Sequence, residues 1–223
     1  PTDMKKAFVL SICLFVFAGL ALPQRVKENG VVVDKTAQRI VEKIITEIKA
    51  DSPFRVTFTM VTKNKGKETA SLSGTLVSNG NKFTLISPEY EDYSDGKNVW
   101  HFVKNNNEVE LTQVNDENNV LNIVGLIERY AKDYRPKLIR EEKRGNSIVN
   151  IIDLIPKGKS SIAKIRIASD KNTNRLKEMT INIREGNTYT YIFNKYETGI
   201  KVRDNDFVFP KNKYPKAEII DLR

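Results

Sequence analysis

The chain contains one histidine and one cysteine. That scarcity decides most of what it can do chemically. His101 has Asp92 and Asp95 close by along the chain, so a histidine–carboxylate pair is the one imidazole-centred acid–base site that can be drawn. The competing reading is a strand histidine that is solvated or simply hydrogen-bonded. A lone imidazole cannot build paired-histidine zinc sites or two-histidine facial triads. Cys13 lies in an N-terminal apolar run, so the rest of the chain has neither a thiol nucleophile nor a disulfide. Glu141 and Glu142 are adjacent carboxylates, but they sit in a charged stretch and read as a solvated face. No catalytic residue, metal ligand or cofactor is assigned, and an enzyme is not expected.

Charge narrows the partners further. The formal net charge is +9, and the basic residues run from end to end of the 223 residues. Nucleic-acid binders gather Lys and Arg on one helix or face with aromatic residues between them. No such gathering occurs here, so nucleic acid is not an expected partner. The length suits one domain with a substantial apolar core.

The N-terminus reads as an address. Met4-Lys5-Lys6 is a basic start, Ala7 to Leu22 is apolar except at Ser11, and Gly19-Leu20-Ala21 places small residues where a signal peptidase cuts. The run is short for a membrane span, which needs about 20 apolar residues. Ile12, not a small residue, precedes Cys13, which argues against lipidation there. The expected organisation is Pro1-Thr2-Asp3 and a secretory signal peptide over 1–21, an exposed leader over 22–33, and one domain over 34–223. The expected location is the periplasm, with the cleaved chain not embedded in a membrane and acting as a monomer.

The elements that would position any site follow from periodicity. Ala37, Ile40, Val41, Ile44, Ile45 and Ile48 form one wide stripe at helical spacing, with Asp34 as N-cap and Asp51-Ser52-Pro53 as the stop. From Phe54 the period becomes two. Phe54, Val56, Phe58 and Met60 share a face, and Leu72, Gly74 and Leu76 follow after a turn at Lys63 to Gly66. Phe83 and Leu85 come after Asn79-Gly80. Asp95-Gly96 is a strong turn signal, and beyond it Trp100 and Phe102 alternate with Val99, His101 and Val103. Val120 to Tyr134 has helical spacing and is expected to be a second helix, stopped by Arg135-Pro136. Strands are then expected at 148–155, 161–168, 176–183, 188–196 and 197–202. About ten strands and two helices make a mainly β (α+β) fold. So many strands cannot stay flat, so one large twisted antiparallel sheet is expected to curl, and the two amphipathic helices are available to cover its concave face.

The concave face of such a sheet is the candidate site. Its expected apolar lining is Phe58, Met60, Leu72, Leu76, Phe83, Leu85, Trp100, Phe102, Leu111, Met179, Ile181, Tyr191 and Phe193 from strands. Ile44, Ile48, Leu121 and Val124 come from the helices. Each of these side chains could equally be plain core, since alternation defines a face but not its partner.

The order of these pieces resembles LolA, the periplasmic outer-membrane lipoprotein carrier family. The matching stretches are the signal peptide and helix, Phe54-Arg55-Val56-Thr57-Phe58, Gly74-Thr75-Leu76, Asn81-Lys82-Phe83, Ser94-Asp95-Gly96-Lys97-Asn98-Val99-Trp100, and Phe207-Val208-Phe209-Pro210 with Tyr214 to Asp221. The resemblance implies a strongly curved antiparallel sheet forming an incomplete β-barrel with helices as its lid, and a cavity between them that holds the acyl chains of outer-membrane lipoproteins. It also implies an inner-membrane ABC-type exporter that loads the carrier and an outer-membrane acceptor that unloads it. Where the family's best-studied branch has an Arg-Pro pair that helps close the lid, this chain has Ser78-Asn79-Gly80. That latch is not carried over. A lipid- or lipoprotein-sensing module of the same fold, without transport, is the alternative.

Overall fold

A 17-residue helix, α1 (Lys35–Asp51), covers the apolar face of a sheet, and the reason is visible in its stripe. Ala37, Val41, Ile44 and Ile48 are buried, each at 5% exposure or less. Burying one Ile or Val side chain contributes about 2 kcal/mol. The expected N-cap is in place: Asp34 Oδ1 accepts a hydrogen bond from the Ala37 N–H at 2.9 Å. The same carboxylate reaches out of the helix, and its Oδ2 accepts from the Leu138 N–H at 3.0 Å. One side chain therefore both caps α1 and ties it to a distant strand.

The computed structural model describes residues 25–28, 31–114 and 133–223. β1 (Arg25–Glu28) and β2 (Val31–Asp34) form a two-stranded antiparallel hairpin, so the expected leader is partly ordered as strands. The first meander comprises β3 (Phe54–Asn64), β4 (Lys67–Asn79), β5 (Lys82–Ile86), β6 (Tyr90–Ser94), β7 (Asn98–Val103) and β8 (Glu108–Gln113). The second comprises β9 (Tyr134–Arg144), β10 (Ser147–Pro156), β11 (Ile162–Asp170), β12 (Leu176–Ile183) and β13 (Asn187–Thr198). A 3-10 turn (Asp204–Phe207) and β14 (Glu218–Asp221) end the chain. The twelve-stranded sheet runs β14-β8-β7-β6-β5-β4-β3-β13-β12-β11-β10-β9. Its two edge strands do not pair with each other, so the barrel is incomplete among the described residues.

The sheet is antiparallel throughout except at β14, which lies parallel to β8. The two meanders meet at one seam, where β3 pairs with β13 from Phe54↔Thr198 to Asn64↔Asn187. Gly74 lies opposite Phe58 across β3 and β4, and a Cβ there would sit 2.6 Å from the Phe58 ring. Glycine lets that ring lie flat over the neighbouring strand.

Two expectations are corrected, and one lies beyond what the structure describes. The helix expected to run through Tyr134 ends at Asp133, and Tyr134 with Arg135-Pro136 opens β9, an edge strand where proline costs no ladder bond. The rest of the expected second helix, with Leu121 and Val124, lies outside the described residues. The strands expected at 188–196 and 197–202 are one continuous strand, β13, which ends at Thr198.

Replacing Asp34 with Ala should cost about 2 kcal/mol, because a cap and a buried acceptor for the Leu138 N–H are lost together. A lowered urea midpoint with an unchanged slope is the expected result, and Asp34→Asn should recover part of the loss.

Candidate functional site

The register of the sheet defines what its concave face presents. One row of cross-strand partners runs Tyr196–Val56–Leu76–Leu85–Asp92–His101–Glu110. Its neighbours on the same face are Phe58, Met60, Leu72, Tyr191 and Met179. The face is apolar across β3, β4 and β5 and turns polar at β6 and β7.

Most of the expected lining meets here. Ile44, Ile48, Phe58, Leu76, Phe83, Leu85, Met179 and Ile181 are buried in one cluster. Met60, Leu72, Tyr191 and Phe193 pack against it and are only partly buried. Phe58 and Tyr191 are tilted ring neighbours at 5.8 Å. Sequence reasoning left out Ile152, Leu154, Ile165 and Ile167, which β10 and β11 bring into the same cluster. Their alternation was visible, but no partner said which face was inner.

Trp100, Phe102 and Leu111 do not join them. Trp100 pairs with Leu111 and Tyr93, and Tyr93 pairs with Thr84, which places all four on the opposite face. Phe102 packs there with Phe209 and Tyr214, at ring separations of 5.3 and 4.6 Å. The physical reason is a second cover. The C-terminal segment crosses this convex face, and the Thr84 hydroxyl donates to the Asp206 carbonyl at 2.7 Å. Aromatic residues are therefore needed outside, and the His101 parity turns inward.

On the inner face, His101 Nδ1 and Asp92 Oδ1 are 2.6 Å apart. Asp92 is buried at 4% exposure, whereas His101 is part-exposed. The Tyr90 ring lies 5.6 Å from the imidazole. Burial pushes the Asp92 pKa up, against the pull of His101. The hydrogen bond that the protonated imidazole donates to Asp92 raises the His101 pKa, against the cost of burial. Both directions keep one proton on the pair, which we treat as a single titrating unit. Burial, and then the neighbouring Asp92 and Glu89, push the Tyr90 phenol up to about 12. Glu91, one residue along, faces outward. Burial raises its pKa, but hydrogen bonds from Tyr93, Tyr214 and Lys104 outweigh this and hold the carboxyl below its usual range.

The C-terminal end of α1 is held by a cation. Arg175, just before β12, donates Nε to Asp51 Oδ2 at 3.0 Å and Nη2 to Asp51 Oδ1 at 3.1 Å. The guanidinium lies 4.9 Å from the Tyr196 ring centroid, and Tyr196 stacks on Phe54 at 5.0 Å. In the stretch that lacks the family's Arg-Pro pair, the Gly80 N–H donates to Ser52 Oγ at 3.0 Å. Beside Arg175, under the C-terminal end of α1, lies a cavity of about 10 Å³ lined by Ile48, Asp51, Phe54, Val56, Arg175, Leu176, Phe193 and Tyr196. It is no larger than one water requires. The helix is closed on the sheet.

The fold is a curled antiparallel sheet with an apolar inner face under a helix tied at both ends. The chain belongs to the family of the outer membrane lipoprotein carrier protein LolA, whose model matches residues 54–210. No curated protein matches it. An uncharacterized conserved protein from Thermus thermophilus is similar in structure, with TM-score 0.57 and 11% identity over 84% of this chain and 99% of that one. A putative outer membrane lipoprotein-sorting protein domain from Vibrio parahaemolyticus gives TM-score 0.46 and 14% identity over 81% and 99%. The Mycobacterium tuberculosis lipoprotein LppX gives 0.48 and 10% over 76% and 100%.

Two outcomes follow from this geometry. The raised pKa of His101 contributes stability that is full below its ordinary value of 6.5 and is lost as pH rises through the folded value. Urea midpoints should therefore fall on the alkaline side, and His101→Gln should flatten that fall. Separately, Arg175→Ala should speed amide exchange in the last turn of α1, residues 46–51, far more than in the first turn that Asp34 caps. The ion pair is part-exposed and is worth about 1 kcal/mol.

Proposed function

We propose that this protein is a periplasmic, non-enzymatic carrier that holds lipoprotein acyl chains against the concave face of its sheet and moves them from the inner to the outer membrane. The family match supports the class of cargo. The observation that carries the reading is the graded inner wall. Met60, Leu72, Tyr189, Tyr191 and Phe193 stay partly exposed beside a fully buried apolar cluster. An acyl chain entering at that margin covers apolar surface already at the water boundary. Each methylene it buries contributes about 0.8 kcal/mol, so one long chain is held firmly without any fixed polar contact.

The small cavity belongs to an unloaded, closed state in this reading. Loading requires α1 to lift, and the Arg175–Asp51 pair sets how readily its end does so. An inner-membrane ABC-type exporter and an outer-membrane acceptor complete the cycle. The N-terminal run acts as a signal peptide that brings the chain to the periplasm. The second reading, a sensing or protein-binding module without transport, draws on the same tight packing, since a filled interior leaves partners to bind the outside.

Purified protein should bind a fluorescent fatty acid saturably, and Leu72→Glu at the half-buried margin should weaken that binding at least tenfold. Trp100 faces the other way, so a labelled lipid is the appropriate reporter. Absence of saturable binding, together with failure to co-purify with a lipoprotein, would sink the carrier reading and favour the module.

A further inference from the structure

The inner wall contains a charged group that the fold does not fully satisfy. Asp92 Oδ1 is bonded to His101, but Asp92 Oδ2 is buried and has no hydrogen-bond partner among the described residues. Three buried hydroxyls share that condition, at Ser78, Ser169 and Tyr196. A hydroxyl left unbonded costs much less than a carboxylate oxygen, which carries charge into a poor solvent. The Asp92 oxygen is the orphan that calls for an explanation.

Its place in the register suggests one. Asp92 pairs with Leu85, which pairs with Leu76, which pairs with Val56. Three strand spacings separate Val56 from Asp92, roughly 14 Å at about 4.8 Å each. An alkyl chain lying across those strands would end at the Asp92–His101 pair. The pair as a unit holds both a negative oxygen and a proton, so it offers an acceptor to a neutral donor. A cationic donor would meet the imidazolium beside it. Tyr90 and Tyr191 bound the same spot, each feeling the charge of Asp92.

We infer that Asp92 is a head-group anchor of the cavity, whose Oδ2 accepts a hydrogen bond from an uncharged donor attached to a long alkyl chain, the N–H of an acyl amide or a hydroxyl. This rests on the carrier reading. It adds polarity and direction to a site otherwise defined by apolar area: the chain lies over β4 and β5, and the head sits at β6 and β7.

The test uses the purified protein and matched lipids that displace a fluorescent fatty acid. One pair is N-methylpalmitamide and N,N-dimethylpalmitamide, which differ in a single N–H. The other is hexadecanol and its methyl ether, and the two pairs separate an amide source of the donor from a hydroxyl source. The wild-type protein should prefer the donor-bearing member of at least one pair by about fivefold or more, the scale of a hydrogen bond to a charged oxygen. Asp92→Leu should erase the preference without weakening the dimethyl amide. Asp92→Asn, whose neutral oxygen accepts a weaker bond, should reduce it at least twofold and serves if the leucine variant does not fold. Equal displacement within each pair overturns the anchor while leaving acyl carriage intact. A preference that survives in both variants also overturns it. Failure of every lipid to displace the probe, with no binding of the probe itself, overturns both.

Discussion

A curved sheet of twelve strands has an inner face that water cannot be left to cover, and among the described residues one helix meets this constraint. Two carboxylates hold that helix at opposite ends. Asp34 divides its two oxygens between the first turn of α1 and β9. Asp51 takes a two-toothed grip from Arg175 in the connection to β12. The two attachments differ in kind. The Asp34 bonds are buried and go to backbone, so breaking them leaves unsatisfied polar groups. The Asp51 pair is part-exposed and goes to a long side chain that water can replace. The helix is thus held by buried backbone bonds at one end and by a solvent-exchangeable ion pair at the other.

Glu91 and Asp92 show how strand alternation converts adjacent residues into different chemistry. Both are buried carboxylates. Glu91 faces outward into a shell of donors, where Tyr93 and Tyr214 approach its oxygens to 2.6 and 2.8 Å and Lys104 to 3.1 Å. It stays ionised and pins the C-terminal segment to the convex face. Asp92 faces inward, meets a single imidazole, and keeps a share of that proton. The first arrangement is complete in itself; the second has one valence open.

Much of the fold was legible beforehand. The stripe of α1 and its cap could be read because helical spacing and capping are local properties. The strands β3, β4 and β10 to β12 could be read because their alternation is strong. β9 could not, since its Pro136 and its run of charges resemble a helix stop and a solvated loop, and only an edge position makes both acceptable. β14 is four residues long, too short for a pattern. Which side chains share the inner face could be read for β3, β4, β5, β12 and β13. It could not for Trp100, Phe102 and Leu111, because β7 is apolar on both faces and the C-terminal segment that claims its outer face lies about a hundred residues on. The Arg175–Asp51 pair joins positions 124 apart, a distance no local pattern spans.

The seam between β3 and β13 carries a consequence for how the molecule assembles. Arg55 and Glu197 face each other across it at a sequence separation of 142. Each meander can zip by short hairpin steps, but joining them requires closing a loop of that size, whose entropy must be lost before any contact across it gives a return. Until the seam closes, two half-faces rich in phenylalanine, leucine and isoleucine stand open to solvent, each with an unpaired strand edge beside it. The chain is thus most vulnerable to aggregation at the stage when both halves are formed and not yet joined.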